Sequence, residues 1–380
     1  MITREIENSL KNKLFKGKVI ILYGPRQCGK TTLVNNILKN INKKVLILDG
    51  EEYNVRRQLE NPSSEKLKLI SLNSEIVFID EAQKIPDIGN VLKLFHDKIP
   101  DVQVIATGSS AFELAGKTSE PLTGRKFEYT LLPISYGELL KHTNFIEENS
   151  KLETRLIYGS YPEVINNPAD SKELIRLIAK SYLYKDLFSL EKINSPDLFE
   201  KIVFALAMQI GSEVSYKEIA VTVGANHLTV SKYISLLEKA YVVFKLPAFN
   251  RNARNEIRKG KKYYFYDNGI RNAVIDNFSV LEKRNDKGAL WENYLVSERK
   301  KFLLFHGFDR KNYFWRNIQK QEVDYLEEEN GELSAYEFKW NIKAKAKFTK
   351  SFVNSHSPVT TALINPDNYY EFLTLDAERG

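Results

Sequence analysis

The 380-residue chain is too long for one ordinary core, which predicts two or three domains. Its 43% hydrophobic and 28% charged content is that of a soluble globular protein, and no apolar run approaches the ~20 residues of a membrane span. The single cysteine, Cys28, excludes an intrachain disulfide, and a net charge of +7 with a pI near 9.0 suits a polyanionic partner without identifying one. The N-terminus carries no signal-peptide pattern, so the expected location is the cytoplasm. The five histidines show no metal-ligand spacing, which argues against zinc.

Ile2, Ile6, Leu10 and Leu14 recur at four-residue intervals, predicting an amphipathic helix over residues 2–15. The apolar run Val19 to Tyr23 then reads as a strand. It is followed at once by Gly24-Pro25-Arg26-Gln27-Cys28-Gly29-Lys30-Thr31, which fits G-x-x-x-x-G-K-[ST], the phosphate-binding P-loop pattern. Glycines let the backbone curl so that successive N–H groups face phosphate oxygens, and the helix starting near Gly29 adds the positive end of its dipole. Lys30 is expected at the β- and γ-phosphates and the Thr31 hydroxyl on Mg²⁺. Gly24 through Gly29, with Lys30, Thr31 and Thr32, form the expected ATP-contacting segment. The competing reading is a glycine-rich turn that merely joins strand to helix.

Lys44 to Asp49 predicts a second strand, and Glu75 to Glu81 a third that ends in two carboxylates. Asp80 is the expected Mg²⁺ partner beside Thr31. Glu81 is the candidate base for the water that attacks the γ-phosphate. The alternative is a pair of acids capping the next helix. Val102 to Ala106 predicts another strand ending in Thr107-Gly108-Ser109-Ser110, where Thr107 or Ser109 is a candidate γ-phosphate sensor and an ordinary helix N-cap is the rival. Arg125, ahead of the strand-like run Phe127 to Leu132, is either a γ-phosphate contact, in its own or a neighbouring subunit, or a surface ion pair.

Residues 134–212 read as mostly helical, broken at Gly159-Ser160-Tyr161-Pro162 and Ser195-Pro196, and serve as a lid or connector. From Leu198 to Asp267 the pattern is a winged helix-turn-helix. Ser215-Tyr216-Lys217-Glu218 is a capping box, Gly224-Ala225-Asn226 the turn, and Val230, Ile234 and Leu237 the inward face of a third helix. Thr229, Ser231 and Lys232 on its outer face, with Arg251, Arg254, Arg258, Lys259 and Lys261 in the wing, are the candidate DNA contacts. Winged helices also dock proteins, so the fold pattern alone leaves both uses open.

The segment from about Gly269 reads as a separate α/β unit. A helix carries Trp291 and Glu292, and strands follow at Tyr313–Arg316, Glu322–Leu326 and Leu333–Lys339. Strand alternation puts Glu337 and Lys339 on one face, within reach of Asp324 on the neighbouring strand. Two carboxylates for a second Mg²⁺ (Asp324, Glu337), a lysine (Lys339) and a supporting Glu292 suit a metal-dependent phosphodiesterase, while a solvated charged hairpin is the plainer reading.

With these pieces in order, the whole chain resembles a widespread archaeal and bacterial family of AAA-type P-loop ATPases that carry a C-terminal domain of uncharacterised function. The resemblance rests on GPRQCGKTTL, VFIDEAQKIPD, TGSSA, LTGRKFEYTLLPISYGEL, GSYPEV, KKYYFYDNGIRNA, GALWENYLVSE, EVDYL and YEFKW. It implies ATP binding by Lys30 and Thr31, Mg²⁺ coordination by Asp80 and hydrolysis aided by Glu81. The C-terminal part is similar to the PD-(D/E)XK nuclease superfamily, onto which Glu292, Asp324, Glu337 and Lys339 map, with Val323 where that motif has proline.

The expected architecture is therefore α/β throughout. It comprises a P-loop NTPase core with a parallel sheet over 1–150, a helical connector over 151–196, a winged helix over 197–268 and a restriction-endonuclease-like domain over 269–380. The expected function is a DNA-associated ATPase using ATP and Mg²⁺, with homo-oligomerisation possible and no membrane partner. The alternatives are an ATP-regulated DNA endonuclease and an ATP switch whose C-terminal domain is an inactive DNA- or protein-binding module.

Overall fold

The computed structural model describes residues 2–109, 122–181, 183, 195–250 and 260–374. The chain divides into two compact units, Met1–Pro133 with Lys239–Tyr241, and Ile134–Glu238 with Val242–Gly380.

The first unit is built on a five-stranded parallel sheet: β1 (Val19–Tyr23), β2 (Val45–Asp49), β3 (Ile76–Asp80), β4 (Gln103–Gly108) and β5 (Lys126–Thr130), in the spatial order β2-β3-β4-β1-β5. β1 and β4 are buried at every residue, as parallel strands covered on both faces require. The helix expected over 2–15 shortens to α1 (Glu7–Lys11), although Ile2, Ile6 and Leu10 are buried as the spacing predicted. Phe15 at φ 55° and Gly17 at φ 71° turn the backbone left-handed and break the helical register before β1. Helix α2 (Lys30–Lys39) follows the loop after β1 and sends Leu33, Val34, Ile37 and Leu38 into the core. Helix α3 (Ile88–Lys98) buries Val91, Leu92 and Phe95.

In the second unit, α4 (Pro196–Met208), α5 (Tyr216–Val223) and α6 (His227–Lys239) are followed by an antiparallel pair, β6 (Val243–Pro247) and β7 (Lys261–Phe265). Val230, Ile234 and Leu237 of α6 are fully buried. Only half of the expected capping box is recorded at α5: the Glu218 amide donates to Ser215 Oγ at 3.4 Å. A full box forms instead at Ser135 and Glu138, heading the helix Tyr136–His142.

Helix α7 (Lys287–His306) ends at Gly307, whose φ of 71° allows Phe308 N–H to bond back to Leu303 O at 2.9 Å. It packs on a four-stranded sheet of β8 (Lys311–Arg316), β9 (Glu322–Glu329), β10 (Glu332–Phe338) and β11 (Thr360–Ile364), ordered β11-β10-β9-β8. β9 and β10 form a hairpin through Asn330-Gly331, both at positive φ as a tight two-residue turn demands.

The first unit stops at Pro133 rather than near residue 150, and the three segments expected beyond it share one unit. The physical reason is a common core. Leu152 and Leu156 of the connector, Phe244 and Tyr264 of the β6–β7 ribbon, Trp291 and Leu295 of α7, and Phe314 and Tyr325 of the sheet belong to one buried cluster. Each large side chain buried there contributes about 1.5–3 kcal/mol, and composition reveals boundaries only where such packing is absent.

Candidate functional site

The chain leaves β1 at Gly24, whose φ is 147° and whose added Cβ would lie 1.9 Å from the Leu131 carbonyl oxygen. Only glycine fits there. Gln27 (φ 60°) and Gly29 (φ 97°) continue the curl, and α2 then starts with no acid in its first turn and no side-chain cap. Those first-turn amides lack the intrahelical partners that later ones have, which suits an anion at this end. Buried Lys30 reaches back across the loop and donates from Nζ to Gly24 O (2.9 Å) and Pro25 O (2.8 Å). Gly24→Ala is expected to destabilise the protein by about 2 kcal/mol or more, because strain and clash coincide; a melting temperature equal to wild type would contradict this geometry.

Cys28 is wholly buried, its Sγ donates to Leu131 O at 3.4 Å, and burial pushes its thiol pKa up, so it packs as a small filler of the loop. Arg4 braces the loop from beneath, donating to Cys28 O (2.8 Å) and Leu132 O (2.6 Å). No motif announced Arg4, because its partners are backbone atoms distant in sequence.

Asp80 stands at the end of β3 and gathers the polar groups around it. Its Oδ2 accepts from Thr31 Oγ1 at 2.7 Å, and its Oδ1 accepts from the Thr107 hydroxyl and from the Glu81 amide at 3.1 Å. The sheet order explains this. β4 lies between β1 and β3, so Thr107 at its end comes between the Thr31 end of the loop and Asp80. Glu81 has a left-handed backbone (φ 45°), a strained state for a non-glycine residue. Gly50 makes room for it, since a Cβ there would meet Glu81 O at 2.4 Å.

Of the two sensor candidates, Thr107 bonds Asp80 while Ser109 takes another partner. Buried Gln83 donates to Glu81 Oε2 at 2.5 Å and to Ser109 Oγ at 2.9 Å. Sequence reasoning missed Gln83, although its place two residues after Glu81 was the available signal. Arg26 pairs with Glu51 at 2.9 Å, and Thr31 and Thr32 are exposed. Arg125 Nε lies 2.9 Å from Asp97 Oδ1 in a part-exposed ion pair, which is the surface alternative left open for it.

In the second unit, three of the C-terminal candidates converge. Lys339 Nζ is 3.4 Å from Asp324 Oδ2 and 3.7 Å from Glu337 Oε2. Asp324 Oδ2 also accepts from the Phe338 amide at 2.8 Å, and Glu337 Oε2 from the Lys347 amide at 3.3 Å. Glu292 is tied to β7, its Oε1 accepting from Tyr264 Oη at 2.6 Å and from Lys262 Nζ at 3.0 Å, while its charge still couples to that of Asp324.

Lys262, on β7, is a residue the sequence reading did not single out for this centre. It is buried and also meets Glu322 at 2.5 Å. Burial opposes its charge, but the Glu292 and Glu322 carboxylates outweigh it and hold the ammonium above the usual lysine range. Burial pushes the Glu292 carboxyl up, against the pull of Lys262. Among the described residues, no three His, Cys, Asp or Glu side chains are grouped so as to hold a metal ion.

The candidate nucleic-acid contacts are only partly described. On α6, Lys232 is exposed and Thr229 and Ser231 are half-buried. Lys261 Nζ sits 3.6 Å over the Tyr216 ring. Arg251, Arg254, Arg258 and Lys259 lie outside the described residues.

Residues 16–140 match a family model described as an AAA domain, and two domains of unknown function match residues 149–281 and 287–371. An uncharacterised protein of Haemophilus influenzae is 25% identical over 344 residues, covering 87% of this chain and 80% of its own. Another, from Mycobacterium tuberculosis, is 27% identical over 341 residues (88% and 73%), and one from Methanocaldococcus jannaschii is 24% identical over 403 aligned positions (98% and 87%). The solved Walker-type ATPase PABY2304 of Pyrococcus abyssi is similar in fold, with a TM-score of 0.50 at 16% identity, covering 72% of this chain and 96% of that one. No helix among the described residues is long and apolar enough to cross a membrane. The parallel sheet and the loop at Gly24 to Thr31 fit a P-loop NTPase core, and the match over residues 16–140 supports an AAA-type domain there.

Proposed function

We propose that the first unit binds ATP with Mg²⁺ and hydrolyses it, and that the second unit associates with DNA. The observation that carries the first part is the Thr31–Asp80 hydrogen bond of 2.7 Å beside a glycine-built loop spanned by Lys30. These residues fit a magnesium nucleotide: Thr31 and Asp80 offer hard oxygen donors, Lys30 a cation, and the start of α2 its amides. Bound Mg²⁺ would neutralise charge on the β- and γ-phosphate oxygens. Glu81 then acts as general base, taking a proton from the water whose oxygen attacks the γ-phosphorus as the bond to the ADP leaving oxygen breaks. Gln83 orients that carboxylate, and Thr107 holds Asp80 in place.

DNA association is supported by the order of three helices and a two-stranded ribbon, by exposed Lys232 on the third helix, and by the basic run Arg251 to Lys261 in the sequence. Fluorescence anisotropy with a labelled duplex tests it. Lys232→Glu is expected to weaken binding several-fold and to lower its salt dependence; affinity unchanged in that variant would remove α6 from the interface.

For the C-terminal segment, convergence of Asp324, Glu337 and Lys339 supports a PD-(D/E)XK-like centre. A specific observation favours the non-cleaving reading of it. Asp324 and Glu337 already accept from backbone amides and Lys339, and Lys262 supplies the positive charge between Glu292 and Glu322. Among the described residues no third His, Cys, Asp or Glu joins Asp324 and Glu337 to hold a metal ion, so a second Mg²⁺ does not fit that arrangement. Supercoiled plasmid incubated with Mg²⁺ is expected to stay intact with wild type, Asp324→Ala and Lys30→Ala alike. Nicking by wild type that is lost only in Asp324→Ala would reinstate the endonuclease.

A further inference from the structure

Where β6, α7 and β8 meet in the second unit lies a cavity of about 310 Å³, at the lower end of the ligand-pocket range. Its basic wall is Lys245, Lys300, Arg310 and Lys311, and no carboxylate belongs to its lining. Arg310 is committed to Glu327 (3.2 Å) and Glu329 (2.5 Å), and Lys245 lies near Glu238.

Lys300 is different. It is half-buried, its Nζ stands 5.2 Å over the centre of the Phe244 ring, and burial draws its pKa down. A second donor shares the lining: the buried Asn312 Nδ2 has no hydrogen-bond acceptor among the described residues. Lys300 shares the wall with three further cations and with the aromatic side chains of Phe244 and Tyr313, and a basic lining without a carboxylate suits an acceptor-rich anion.

We propose that this cavity is a binding site for a phosphomonoester, with Lys300 donating to its phosphate oxygens. Such a group comes either from a free mononucleotide-sized ligand or from the 5′-phosphate of a DNA end. The site is independent of the P-loop and does not rest on ATP hydrolysis.

The test is acetic anhydride labelling of the full-length chain, read lysine by lysine by mass spectrometry. The arms are inorganic phosphate, AMP, a 5′-phosphorylated duplex and its 5′-hydroxyl counterpart. The Lys30 peptide reports P-loop occupancy separately, so failure there and failure here are distinguishable. Lys300 labelling is expected to fall about ten-fold at ligand ten times above its dissociation constant. Protection by phosphate and AMP assigns a free ligand, and protection by the phosphorylated duplex alone assigns a DNA end. In Lys300→Met, protection of Lys245 and Lys311 should vanish, while Lys300→Arg should retain it. Unchanged Lys300 labelling in every arm, equal protection by the 5′-hydroxyl duplex, or protection of Lys245 and Lys311 surviving in Lys300→Met would each overturn the proposal.

Discussion

Lys30→Ala is expected to lower ATP turnover at least about 100-fold, the order seen when one preorganised charge partner of a reacting oxyanion is removed. The side chain is buried and is held at 2.9 and 2.8 Å by two carbonyls of the loop proposed to cradle phosphate, so the loop itself positions its ammonium. Both binding and chemistry should suffer, because the cation meets the nucleotide in the ground state and in the transition state. Phosphate release and fluorescent-nucleotide titration measure the two effects. Thermal unfolding of the variant checks that loss of the two internal hydrogen bonds has not simply loosened the loop. A folded Lys30→Ala protein that turned over ATP normally would sink the site assignment.

Glu81→Gln should separate the two effects. The substitution keeps the size of the side chain and removes the proton acceptor, so kcat is expected to fall by about 10²–10⁴-fold with nucleotide affinity close to wild type. The structure motivates this division. Glu81 is held by Gln83 at 2.5 Å on a strained backbone, whereas the phosphate cradle proposed for the loop, Lys30 and Thr31 does not include it. Strain of about 1–3 kcal/mol retained at one residue is characteristic of a site that needs its side chain aimed. Loss of affinity and turnover together would mean that Glu81 supports the loop instead of activating water.

Much of the nucleotide site could be read from local pattern. Gly24 and Gly29 stand where the backbone must turn left-handed, and the strand Val19–Tyr23 ends where its apolar run ends. The pairing of Thr31 with Asp80 was an expectation from motif order, and the geometry brings the two to 2.7 Å. Arg125 was ambiguous because an arginine's partner is decided by distant chain, here Asp97. Gln83, Arg4 and Lys262 were not singled out for these sites. Each acts through partners on other elements, and a single polar residue leaves no periodic trace in a sequence.

The sequence by itself determined what nearest neighbours control. These are the glycines at positive φ, the alternation that puts Glu337 and Lys339 on one face, the buried stripe of α6 and the acids that close β3. The tertiary structure alone decided that β4 lies between β1 and β3, which carries Thr107 to Asp80. It also decided that connector, ribbon and C-terminal sheet share one core, and that Lys262 fills the carboxylate centre. The reason is one of range. Backbone preference and strand alternation act within a few residues, whereas strand order and the pairing of buried charges follow from free energies summed over the whole packed unit.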